Sequence, residues 1–129
     1  MDIRIQSRGH VDVVGIAGSV DGLTAETLLS TLQAHVDKGN TRLVVDLSAV
    51  EYTSSAGLRA LLATLKDARG QGGDLRLAAV RPTVRKVLDL SGFTSILKIF
   101  DDVPTAVASF VVAGGETGAG AWPAAISAA

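Results

Sequence analysis

The chain has 129 residues, no cysteine, and twelve basic against thirteen acidic residues, for a net charge near −1. That length suits one domain with a real core, and the missing thiols exclude disulfides, thiol catalysis and thiolate metal sites. No basic block stands out for binding nucleic acid, and no apolar run reaches the roughly 18 residues of a membrane span. Met1-Asp2-Ile3-Arg4-Ile5 alternates apolar and polar and lacks the apolar core of a signal peptide, so a cytoplasmic domain is expected. Hydrophobic residues make up 47% but aromatics only 4%, which leaves the core to Leu, Val, Ile and Ala.

Residues 2–7 alternate like a strand, and 11–17, with Val11, Val13, Val14 and Ile16, form a second; Ser7-Arg8-Gly9-His10 joins them as a hairpin. After the loop 18–22, a helix is predicted near 24–38. Leu28, Leu29, Leu32 and Val36 share one face, Glu26 favours the first turn, and Gly39-Asn40 stops it. Leu43-Val44-Val45 is a continuous apolar run suited to a central strand buried on both faces. The next helix runs from about Ser55 to Arg69 on the stripe Leu58, Leu61, Leu62 and Leu65, and Gly70-Gln71-Gly72-Gly73 breaks it.

Leu75 to Val80 is a strand. Pro82 opens a short helix with Val84, Val87 and Leu88 inward, ended by Ser91-Gly92. Ile96 to Phe100 is the fifth strand, and Asp101 and Asp102 cap a last helix with Val103, Ala106, Val107, Phe110 and Val111 as its face. The order ββαβαβαβα predicts an α/β domain over residues 1–112, with a mixed, largely parallel five-stranded sheet and four helices. Residues 113–129 turn to Gly, Ala and small polar types and are expected to form a flexible tail, with Trp122 as its one anchor.

Enzyme chemistry finds little support. His10 and His35 have no partner at metal-ligand spacing, so no metal is expected, and no cofactor either. Thr53 stands where a hydrolase elbow needs its first glycine, and the Gly-rich stretches 70–73 and 114–120 match no phosphate-binding or dinucleotide-binding loop. The informative segment is Ser54-Ser55-Ala56-Gly57-Leu58, a hydroxyl pair that follows a buried strand and opens an amphipathic helix. Free N–H groups and the helix dipole favour a negative group there. A serine so placed either caps the helix or carries a phosphate. Asp46 ends the central strand and Asp21 ends the loop after the second strand, on that same rim, where they either neighbour Ser55 or cap a turn and a helix of their own.

The string Leu43-Val44-Val45-Asp46-Leu47-Ser48-Ala49-Val50-Glu51-Tyr52-Thr53-Ser54-Ser55-Ala56-Gly57-Leu58 strongly resembles the STAS domain, the family of bacterial anti-sigma factor antagonists. Gly18-Ser19-Val20-Asp21, Gly72-Gly73-Asp74-Leu75 and Val84 to Phe93 match further family segments in the right order, so the likeness spans about residues 3–111.

The resemblance implies a binding protein and not an enzyme: it engages an anti-sigma factor, often also a serine kinase of the ATPase fold, and frees a sigma factor. Phosphorylation of one motif serine ends the interaction and a phosphatase restores it. Alignment on Gly57-Leu58 puts the acceptor at Ser55 and the partner-binding surface at Asp21, Ser54, Ser55, Ala56, Gly57 and Leu58. The position before the acceptor, commonly Asp in the family, is Ser54 here, which removes a negative charge beside it. The competing readings are a STAS scaffold without phosphorylation in a signalling or transport assembly, a nucleotide-binding rim, and an enzyme with Ser55 as nucleophile.

Overall fold

A computed structural model of the chain describes residues 1–111. The segment read as a tail, Trp122 included, lies outside the described residues. Five strands form one sheet in the order β1 (Asp2–Arg8), β2 (Val11–Ala17), β3 (Arg42–Ala49), β4 (Asp74–Ala78) and β5 (Lys98–Phe100). β1 and β2 are an antiparallel hairpin, and the remaining neighbours pair in parallel. Gly9, with φ +66°, supplies the left-handed residue that the two-residue turn between Arg8 and Val11 needs.

Three helices make the parallel crossovers: α1 (Gly22–Asp37), α2 (Ser55–Gly70) and α3 (Pro82–Leu90). Each crossover steps one strand in the same direction, so a constant right-handed connection puts all three helices on one face of the sheet. The main core confirms it: Leu28, Leu32 and Val36 of α1, Leu61 and Leu65 of α2, and Val84 and Leu88 of α3 bury against Val14, Val45 and Leu77. The last helix, α4 (Val103–Val111), covers the opposite face, where Ala106 meets Val11, Val13, Val44 and Ala78. β3 is thus buried on both sides, as its apolar run implied.

Buried charge fastens this second layer. Asp74, 8% exposed, accepts from the Nε of Arg69 at 2.9 Å and the Nε of Arg76 at 3.0 Å. Arg76 lies 4.0 Å over the Phe110 ring and donates to Ser109 Oγ at 2.6 Å, so one arginine pins α4 to β4.

Several boundaries differ from expectation. α1 begins at Gly22, which puts Glu26 beyond the first turn. Ala79, at φ +55°, ends β4 before Val80. Phe93–Ser95 form a single 3-10 turn after the left-handed Gly92, and β5 starts only at Lys98. Leu97 explains the last case, because it is buried in the main core and its amide bonds back to the Phe93 carbonyl at 2.9 Å instead of joining the sheet.

The fully buried Leu65 and the half-buried Leu62 occupy the same helix, which gives an internal control for the core. Leu65→Ala is expected to cost about 2–5 kcal/mol in urea unfolding, and Leu62→Ala clearly less.

Candidate functional site

The chain after β2 and the chain after β3 run on side by side past the sheet. Val20 and Thr53 form a parallel bridge; the Val20 amide donates to the Tyr52 carbonyl at 3.0 Å, and the Ser54 amide to the Val20 carbonyl at 2.7 Å. The loop before α2 is braced from its other side as well. Arg81 Nε donates to the Ser48 carbonyl at 2.7 Å and Thr83 Oγ1 to the Glu51 carbonyl at 3.1 Å. Underneath, the packing is tight: the void bounded by Val20, Thr53, Gly57 and Leu58 measures about 10 Å³, too small to admit anything beyond a single water.

This frame gives the two serines different tasks. Ser54 is the N-cap of α2, half-buried, with its Oγ accepting from the Gly57 amide at 3.3 Å. Ser55 is the first helical residue; it is exposed, and its hydroxyl makes no hydrogen bond among the described residues. Capping is therefore done without Ser55, and its oxygen stands free at the positive end of a 16-residue helix. Gly57 lets the helix approach this closely. A Cβ there would fall 2.3 Å from Thr53 Oγ1 and 2.8 Å from Val20 Cγ1.

The other expected site residues divide. Asp21 is exposed on the same rim but is engaged as the N-cap of α1, accepting from the amides of Leu23 and Thr24 at 3.0 and 2.9 Å, while Thr24 Oγ1 accepts from the Asp21 amide. Those bonds, from Thr24 first and then Leu23, hold its carboxyl below the ordinary value of 3.8. Ala56 is half-buried, and Gly57 and Leu58 are buried, Leu58 at 2% exposure within the main core. They shape the rim from beneath, and Ala60, also considered for the surface, is core too.

Asp46 does not join Ser55. Strand alternation sets it on the Val44 side of the sheet, away from α2, where its Oδ1 accepts from the Ser48 amide at 3.0 Å.

Nor does the fold bring an imidazole to Ser55. His35 pairs with Asp12 at 3.0 Å and His10 sits in the hairpin turn, both at the opposite end of β2, roughly 20 Å of strand away. Among the described residues no three His, Cys, Asp or Glu side chains are placed to hold a metal, and no helix is long and apolar enough to cross a membrane.

Two exposed apolar residues that the sequence reading did not single out flank this rim. Leu23 is 81% exposed and Tyr52 55%, and both lie within three residues of the Val20–Thr53 bridge. The signal for Leu23 was its place off the Ala25, Leu28, Leu32, Val36 stripe; Tyr52 sits one residue from the buried Thr53 in an extended segment and so points the other way.

The STAS domain model matches residues 2–106, and the chain belongs to that family. A Bordetella bronchiseptica protein, BtrV, provisionally named an anti-sigma factor antagonist, is 42% identical over 98 residues, covering 76% of this chain and 84% of its own. The anti-sigma-F factor antagonist RsfB of Mycobacterium tuberculosis is 31% identical over 105 residues, covering 81% and 85%. Among solved structures, an anti-sigma factor antagonist from Mycobacterium paratuberculosis superposes with a TM-score of 0.77 at 29% identity, covering 84% of this chain and 92% of that one. These relatives are named for regulatory binding, not for catalysis.

The division of labour at the rim is measurable. Ser54→Ala is expected to lower stability by about 0.5–2 kcal/mol through the lost cap. Ser55→Ala should stay within about 0.5 kcal/mol of wild type in the same urea titration.

The lowered carboxyl of Asp21 also sets a sign. Its contribution is complete above the unfolded-state value of 3.8 and is lost as pH falls through the folded value. Asp21→Asn, which keeps a capping oxygen, should therefore flatten the acid side of the Tm-against-pH curve below about pH 4 and leave neutral stability nearly unchanged.

Proposed function

We propose that this chain is an anti-sigma factor antagonist that binds an anti-sigma factor with serine-kinase activity of the ATPase fold, and that phosphorylation of Ser55 ends the interaction. The observation that carries this reading is the free, exposed Ser55 hydroxyl beside a neighbour that already caps the helix. An acceptor that also capped α2 would lose part of its helix on modification; Ser55 can take a phosphate without that cost. The names of the relatives support the partner class.

In the transfer, Ser55 Oγ attacks the γ-phosphorus of ATP held by the kinase, loses its proton, and ADP leaves. The product adds about −1.5 to −2 charges to a rim that carries none at that atom. Backbone N–H groups of the first turn of α2 stabilise the phosphate locally, so the fold is kept while the contact surface changes sign. A phosphatase that hydrolyses the ester restores the binder.

Leu23 and Tyr52 supply the apolar anchors this surface needs, with Asp21, Ser54, Ser55 and Ala56 between them, and Gly57 and Leu58 as their support.

The experiment is retention from lysate of the source cells on wild-type, Ser55→Ala, Ser55→Asp, Leu23→Ala and Tyr52→Ala baits, followed by affinity measurement on the recovered partner. Wild type and Ser55→Ala should bind alike without ATP, and only wild type should be released and phosphorylated when ATP is added. Ser55→Asp and each anchor variant should bind at least about tenfold more weakly, roughly 1.4 kcal/mol. An unchanged partner set on all baits with no label on Ser55 would transfer the assignment to the non-phosphorylated scaffold reading.

A further inference from the structure

We propose that the free edge of β1 is a docking surface for a second copy of this chain, with the two first strands paired antiparallel about Ile5 so that both sheets become one. β1 opens the sheet and pairs only with β2. It is seven residues long, without proline or bulge, and every residue but the half-buried Ile3 is exposed. Shortness, kinks or a covering element, which usually blunt an edge, are missing here among the described residues.

The hairpin determines which backbone groups face outward. Arg8 and Val11 flank a two-residue turn and so exchange both of their hydrogen bonds. Alternation then commits Asp2, Arg4, Gln6 and Arg8 to β2 and turns the N–H and C=O of Ile3, Ile5 and Ser7 outward. The Gly18 amide, bonded to Ala49 of β3, keeps the same alternation along β2. Side chains alternate as well. Ile3 and Ile5 stand opposite Ile16 and Val14 on the face of the main core. Gln6 and Arg8 stand opposite Val13 and Val11 on the α4 face, with Asp2 and Arg4 in the same row.

A second copy satisfies this edge. With Ile5 against the copy's Ile5, Ile3 and Ser7 face the copy's Ser7 and Ile3, so all three outward residues become hydrogen-bonded pairs. On the α4 face the same register sets Asp2 and Arg8 against the copy's Arg8 and Asp2, with Arg4 against Gln6 between them. Asp2, Arg4 and Arg8 make no ion pair among the described residues, which leaves them free for that use. A slip of two residues either way would oppose Arg4 to the copy's Arg4 or Arg8, and in-register parallel pairing would set like against like throughout. In the favoured register like charges meet only on diagonals, about 7–8 Å apart, where salt blunts them. Ile5, 38% exposed, gains its own copy as an apolar neighbour on the helix face. The antiparallel arrangement points the two Ser55 rims to opposite ends of the joined sheet, and the inference is independent of the assignment of Ser55.

The test is sedimentation equilibrium of the full chain, tagged only at its C-terminus, up to millimolar concentration, with amide hydrogen exchange on dilute and concentrated protein. A concentration-dependent dimer is expected in which the Ile3, Ile5 and Ser7 amides gain protection. Those of Arg4, Gln6 and Arg8, already bonded to β2, should stay unchanged. Asp2→Arg and Arg8→Glu, checked for an unchanged circular dichroism spectrum, should each weaken dimerisation at least about tenfold, since either one opposes like charges at both ends of the pair. Mixed in equal amounts, the two variants should associate again at near wild-type strength, because each then meets its opposite. A monomer at every concentration, a dimer without added protection at Ile3, Ile5 and Ser7, or a mixture that fails to associate would each overturn the proposal.

Discussion

Everything at the rim depends on how closely the first turn of α2 sits against the Val20–Thr53 bridge. Gly57 occupies space in which even a methyl group would overlap Thr53 and Val20. Because of that contact, the Ser54 amide reaches the Val20 carbonyl, Ser54 takes a capping conformation, and Ser55 becomes the first exposed residue of the helix. Widen the gap by one carbon and the bridge, the cap and the exposure of Ser55 change together. The glycine in the Ser-Ala-Gly-Leu run is therefore a packing requirement, whatever partner the surface meets.

The energetics suit a surface switch. A helix N-terminus stabilises an added negative group by about 0.3–1 kcal/mol in an exposed position, too little to reorganise a domain. A partner carboxylate within about 5 Å would instead meet a repulsion of roughly 3 kcal/mol per pair of unit charges at an effective dielectric near 20. Under the proposed switch, a phosphate on Ser55 would thus be tolerated by its own protein and disfavoured by the complex. The double bracing of the loop before α2, by Val20 on one side and by Arg81 and Thr83 on the other, holds Ser55 in place at the rim.

Much of this was legible in the sequence, for stated physical reasons. Apolar patterning located the four α-helices and the five strands, β3 through its continuous run and the others through one-sided periodicity, and Gly39, Gly72 and Gly92 ended helices through their left-handed conformations. The 3-10 turn at Phe93–Ser95 was not legible: Ile96 and Leu97 are good strand residues, and only the burial of Leu97 beneath α3 decides otherwise. The site was half legible. The motif located the serine pair, but which serine caps depends on where helical geometry begins, a boundary of one residue. Leu58 stood both on the apolar stripe of α2 and in the family motif, and in the fold the stripe prevails, with the residue in the core. Asp46 looked like a neighbour of Ser55 because strand ends converge, whereas its side chain leaves on the other face of the sheet.

The same one-directional topology that gathers the serine rim also puts β5 at the end of the described sheet. Successive right-handed crossovers stack α1, α2 and α3 on one face, and among the described residues a single helix remains for the other. α4 is spent on covering Val44 and Ala78 and is fastened there by Arg76, so nothing among the described residues pairs with the outside of β5. A three-residue strand carrying Lys98 is short and charged enough to resist self-pairing. α2 ties the two ends of the domain together, with a free hydroxyl at its positive end and the Arg69–Asp74 pair at the other.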